Sequence, residues 1–123
     1  MITATELLLK SGSKTTHIPL DAIIQVAGLG NYSQFRLRDG SRILSAYTLK
    51  VYEQLLPDYF LRIHKTCLVN SRCIVSQVGQ SELILVDDSR VEIARRKTDA
   101  FRQQYAALQE LRQAELRGNP SAT

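Results

Sequence analysis

The stretch Tyr59-Phe-Leu-Arg-Ile-His-Lys-Thr-Cys-Leu-Val-Asn-Ser-Arg-Cys-Ile74 decides how the rest of the chain is read. Its apolar residues fall in two short extended runs, Tyr59–Ile63 and Cys67–Val69, and Ile74–Val78 follows with the same character. Runs of this length, rich in β-branched and aromatic residues, predict strands. Phe60, Ile63, Leu68, Val69 and Ile74 are the expected core positions. Asn70 closes the second run, where an Asx side chain is expected to bond the backbone two residues on. No carboxylate occurs from Tyr59 to Ser81, whereas Arg62, Lys65 and Arg72 all lie there beside His64.

Working upstream, Glu6–Lys10 and Lys14–Ile18 flank Ser11-Gly12-Ser13 as a hairpin, and Pro19 opens a brief helical or turn connection. Ile23–Ala27 and Tyr32–Arg38 read as strands on either side of Gly28-Leu-Gly30-Asn31. Asp39-Gly40 turns the chain tightly into Arg42–Leu44. The period then changes: Leu49, Tyr52, Leu55 and Leu56 share a helical face, with Ser45 or Thr48 as cap and Pro57 as stop. Downstream, Leu83–Val86 and Val91–Ile93 are strands joined by Asp87-Asp-Ser89. Phe101, Tyr105, Leu108 and Leu111 then mark one face of a terminal helix over about residues 96–116, with Leu116 extending the row. The expectation is a mainly β domain over residues 1–117, with one internal helix, one C-terminal helix and a flexible tail at 118–123.

Length and composition bound the function. A chain of 123 residues is one domain, and 44% hydrophobic with 23% charged residues excludes wholesale disorder. No apolar run approaches the roughly 18 residues that span a bilayer, and no secretory leader is visible at the N-terminus, so a soluble cytoplasmic protein without membrane contact is expected. Cys67 and Cys73 are too few for a disulfide framework and are expected as buried, reduced thiols. The two histidines, His17 and His64, have no metal-ligand spacing, and His17 is expected as an exposed strand residue. Gly28-Leu-Gly30 lacks the third glycine of a dinucleotide loop. A Cys67–His64 nucleophile pair is expected to fail, because a spacing of three on an extended strand puts the side chains on opposite faces. No enzyme activity, metal or cofactor is expected.

The positive charge points elsewhere. A formal charge of +4 is modest, but Arg90, Arg95, Arg96, Lys97 and Arg102 form a second basic cluster opposed only by Glu92 and Asp99. Groups able to reach base edges (Asn31, His64, Lys65, Asn70, Arg95) lie beside plain cations, the mixture a DNA reader needs. Alternatives from other classes are a small β-domain that binds a protein partner and a ligand-sensing β-module.

The central stretch resembles the signature of the LytTR family of DNA-binding domains, a Phe-x-Arg-x-His-(Arg/Lys/Asn)-Ser/Thr core running into Val-Asn and an Ile-rich strand. Here the core is Phe60-Leu-Arg62-Ile-His64-Lys65-Thr66, followed by Val69-Asn70 and Ile74. Further landmarks stand in the same order: Gly30-Asn31-Tyr32, Asp39-Gly40, Thr48-Leu49, Leu55-Leu56-Pro57 and Ile93-Ala94-Arg95-Arg96-Lys97. Together they cover about residues 3 to 105. The chain departs from the pattern at Ala94, where the family usually has Ser, and at Lys65, often Arg or Asn. Most members carry a receiver or membrane domain ahead of this module, and this chain is expected to carry the module alone.

The resemblance implies an elongated β-β-β arrangement of short antiparallel sheets that reads duplex DNA with loops in successive major grooves. It also implies a bacterial transcriptional regulator acting on paired repeats. By position in the motif, Asn31, Tyr32, His64, Lys65 and Arg95 are the expected base contacts. Arg62, Arg96 and Lys97 are the expected phosphate contacts. The apolar row of the terminal helix is expected to offer a homodimer contact beyond Leu108.

Overall fold

The computed structural model describes residues 2–117, so the expected tail at 118–123 lies outside the described residues. Three antiparallel sheets succeed one another. β1 (Glu6–Ser11) and β2 (Lys14–Pro19) form the first, a simple hairpin. The second contains β3 (Ile23–Leu29), β4 (Tyr32–Leu37), β5 (Arg42–Ser45), β6 (Phe60–His64) and β7 (Cys67–Asn70), in the order β5-β4-β3-β7-β6. The third contains β8 (Ile74–Val78), β9 (Glu82–Leu85) and β10 (Arg90–Glu92), in the order β10-β9-β8. Helix α1 (Leu49–Leu55) crosses between β5 and β6, and α2 (Thr98–Arg117) follows β10. The fold is the mainly β, three-sheet arrangement expected.

The five-stranded sheet is buried on both faces, which gives the domain two cores. Leu7 and Ile18 of the hairpin meet Val26, Phe35, Leu68 and the α1 residues Leu49 and Tyr52 on one face. On the other, Ile24, Leu61, Ile63 and Val69 meet Leu83 and Leu85 of the third sheet and Phe101 of α2. Ordinary alternation sends Ile23 to the first core and Ile24 to the second, and a register shift between Ile23 and Gln25 then returns Val26, two residues after Ile24, to the first core. Full burial of each such side chain contributes about 1.5–3 kcal/mol.

Local signals hold with small displacements. Gly40 adopts φ +88° and Asp39 accepts from the Ser41 amide at 2.8 Å, closing the β4–β5 turn. Thr48 is the N-cap of α1 without a side-chain bond, and the Ser45 hydroxyl is engaged instead with the buried Tyr52 hydroxyl. The terminal helix starts two residues later than the spacing suggests. Arg95–Lys97 form a separate 3-10 turn, because the Ala94 amide donates to the Ile63 carbonyl at 2.8 Å and ties that point to β6. Ile74 is half-buried, while the other four expected core positions are buried.

The cysteines are free and far apart. Cys67 pairs with Ala27 on β3, whereas the Cys73 thiol donates to the carbonyl of Ile23, four residues earlier on that strand. That run of strand spans about 13 Å, against the roughly 7 Å between Cα atoms that a disulfide tolerates. Cys73 is buried as expected and Cys67 only partly so.

Candidate nucleic-acid interface

Strand pairing gathers the expected base-reading residues at one end of the central sheet. Leu29 pairs with Tyr32, so Gly30-Asn31 is the two-residue tip of β3–β4. Gly30 takes φ +65° at the first position and Asn31 does not, the pattern of a type II′ turn. β7 runs beside β3 with Ala27 opposite Cys67, and the Gly28 amide donates to the Thr66 carbonyl at 2.9 Å. The β6–β7 tip, Lys65-Thr66, therefore sits next to Gly30-Asn31. The Ala94–Ile63 bond brings the Arg95–Lys97 turn alongside that tip. Asn31, Tyr32, Lys65, Arg95 and Arg96 are all exposed there, with His64 and Lys97 half-buried. Tyr32 is 50% exposed, which takes it out of the core.

His64 has a defined donor. The Thr66 amide donates to its Nδ1 at 3.2 Å, with the Thr66 hydroxyl 2.9 Å from the same nitrogen. A backbone N–H can only donate, so Nδ1 is the acceptor and the ring proton of the neutral imidazole sits on Nε2. His64 and Cys67 are register partners across the hairpin, which corrects the expectation that they occupy opposite faces. The chain reverses at Lys65-Thr66, so the rule for one continuous strand does not apply. Burial pushes the Cys67 thiol up to about 11, against the pull of Arg36 and Arg62, so the pair holds a protonated thiol and not a thiolate nucleophile.

Arg62 is the expected phosphate contact whose surroundings differ most from expectation. Its guanidinium turns back onto its own chain: Nε donates to the His64 carbonyl at 2.7 Å, Nη2 to the Lys65 carbonyl at 2.5 Å, and Nη1 to Glu53 at 2.5 Å. The side chain is 19% exposed. Arg96 and Lys97, by contrast, form no ion pair among the described residues.

Two residues at this end escaped the sequence reading. Ser33 Oγ donates to the Tyr47 carbonyl at 2.8 Å, placing the 62%-exposed Tyr47 ring beside the start of β4. Gln80, exposed in the β8–β9 turn, lines a small open cavity with Ser81, Ala94 and Arg95. The signal for Gln80 was the Gly79 turn, with φ +62°, but only pairing reveals which loop it neighbours.

The far end of the sheet is built differently. Asn70 is fully buried, its Nδ2 donating to the Ile23 carbonyl and its Oδ1 accepting from the Arg72 amide, each at 2.9 Å. This is the Asx turn expected of it. The Arg72 guanidinium stacks 3.8 Å from the Tyr59 ring centre. Beside them runs an open groove of about 1190 Å³ against the second half of α2, where Leu111 and Leu116 are 63% and 76% exposed. His17 is exposed, 3.4 Å from Glu6.

The family model of the LytTr DNA-binding domain matches residues 13–106. The chain belongs to the LytTR family. A solved structure with the same fold is the LytTr DNA-binding domain of a Bacillus cereus protein described as a methyl-accepting/DNA response regulator. It is 20% identical, with a TM-score of 0.70 over 83% of this chain and 97% of that one. The curated proteins gave no match. Membership of LytTR makes this a DNA-binding domain of the kind that regulates transcription. Most of α2 beyond Tyr105 falls outside the LytTR match. Among the described residues no helix is long and apolar enough to cross a membrane, and no cluster of His, Cys, Asp and Glu fits a metal ion.

Proposed function

We propose that this LytTR domain binds duplex DNA sequence-specifically, with its three adjacent loops entering the major groove as a bacterial transcriptional regulator acting in the cytoplasm. The observation that carries this reading is the convergence of Gly30-Asn31, Lys65-Thr66 and Arg95–Lys97 at one sheet end. Asn31, Tyr32, His64, Lys65 and Arg95 read bases: the arginine forks onto guanine O6 and N7, and His64 offers its Nε2–H to a single acceptor. Arg96 and Lys97 grip phosphate and set the register. Selection from random duplexes tests this directly and yields the site. A reader neutralising about six phosphates loses roughly 10³-fold in affinity between about 50 and 200 mM salt. A protein-binding or ligand-sensing β-module would select no consensus and would show little salt dependence.

The second half of α2 supports a second proposal, a homodimer that places two domains on paired repeats. Leu111 and Leu116 stand uncovered at the end of the helix remote from the loops. Light scattering on the full chain and on a chain ending at Gln109 tests it. If both are monomeric at high micromolar concentration and bind a tandem site equally, pairing occurs on the DNA alone.

A further inference from the structure

The guanidinium of Arg62 lays a fork across two successive peptide units, Nε on the His64 carbonyl and Nη2 on the Lys65 carbonyl, while Nη1 is held by Glu53 of α1. The Thr66 carbonyl is taken by the Gly28 amide. All three carbonyl oxygens of the tip are thereby bonded within the domain, which keeps their negative ends from facing a phosphate backbone. Only a planar guanidinium makes this fork; an ammonium is a single point of charge. Glu53 is 41% exposed close to a cationic surface, where a carboxylate opposes DNA unless it has another task.

We propose that Arg62 and Glu53 are positioning residues that set the pose of His64 and Lys65, and so decide which base those side chains read, without touching DNA themselves. This rests on the three-loop reading of DNA. It inverts the expectation from charge alone, in which losing Arg62 weakens binding to every sequence and losing Glu53 strengthens it. Under the positioning role, both changes lower discrimination.

The test titrates wild type, Arg62→Lys, Arg62→Ala and Glu53→Gln against the selected duplex and a scrambled one across a series of salt concentrations. Arg62→Lys keeps the charge and removes the fork, so the ratio of specific to non-specific affinity falls by about 5- to 150-fold, the worth of one good base contact. The salt slope stays that of wild type. Glu53→Gln shifts the ratio the same way by a smaller factor, although it removes a charge that repels DNA. Because Glu53 lies on an exposed helix surface, its variant decides the matter even if the arginine variants do not fold. An unchanged ratio in Glu53→Gln and Arg62→Lys overturns the inference. So does an Arg62→Ala salt slope reduced by about 0.9 with the ratio intact, the mark of one lost phosphate contact. A wild type with no preference between the two duplexes overturns the DNA reading itself and is visible without any variant.

Discussion

The two ends of the central sheet contrast in what their polar groups do. At the Asn70 end, polar atoms are matched within the chain: Asn70 joins β7 to β3, and Arg38 Nε donates to the Asp21 carbonyl at 2.6 Å. At the loop end, backbone groups are matched but Asn31, Lys65, Arg95 and Arg96 extend into solvent. A buried polar atom left without its partner costs stability, whereas an exposed one costs little. Substitutions at the two ends should therefore separate stability from binding.

The largest effect belongs to the buried end. Asn70→Ala removes two bonds, leaving the Ile23 carbonyl only the weak Cys73 thiol and the Arg72 amide without its partner, which costs about 2–4 kcal/mol. A shifted urea midpoint with an unchanged preference among DNA sequences is the expected result. A stability loss under about 0.5 kcal/mol would erase the contrast. Arg95→Ala and Lys65→Ala are the mirror image, each losing about 1–3 kcal/mol of base discrimination with stability intact. If Arg95→Ala keeps the full specific-to-non-specific ratio, that turn is not a reader. Next come Arg96→Ala and Lys97→Ala, which weaken all duplexes alike and reduce the salt slope by about 0.9 each.

How far the sequence carries such an argument depends on distance along the chain. Hairpins were legible because their determinants are local: Gly12, Asp39-Gly40 and the two-residue period fix turn and face together. The helices were legible for the same reason, from Leu49-Tyr52 and from Phe101-Tyr105-Leu108. Pairing between β3 and β7 was not, since alternation says which face a residue takes and nothing about which strand lies beside it. The candidate site divides along that line. Its exposed tips could be named from the motif, but the return of Arg62 onto its own hairpin could not, nor could its pairing with Glu53, which α1 brings beside it. Likewise, Gln80 becomes Arg95's neighbour only through the third sheet.

The smallest expected effect sharpens the contrast from the side of pH. Asp87 caps the β9–β10 turn and pairs with Arg36 of the central sheet at 3.1 Å. Burial pushes its carboxyl up, but bonds from the Ser89 hydroxyl and amide and from Arg36 outweigh that and hold it below the ordinary carboxylate range. A carboxylate with a lowered pKa stabilises the fold above its unfolded value and loses that contribution as pH falls through the folded value. Wild type should therefore lose stability on acidification below about pH 4, and Asp87→Asn should flatten that part of the curve. A variant as acid-sensitive as wild type would remove Asp87 from the account.

The β6–β7 tip keeps its shape through atoms other than its outward side chain. Its carbonyls answer to Arg62 and Gly28, and its Thr66 amide to His64, while the Lys65 side chain takes no part. Under the proposed reading, this separates the letter being read from the frame that presents it: exchanging Lys65 removes none of the bonds that shape the tip, so base preference at this loop would change one substitution at a time on an intact scaffold.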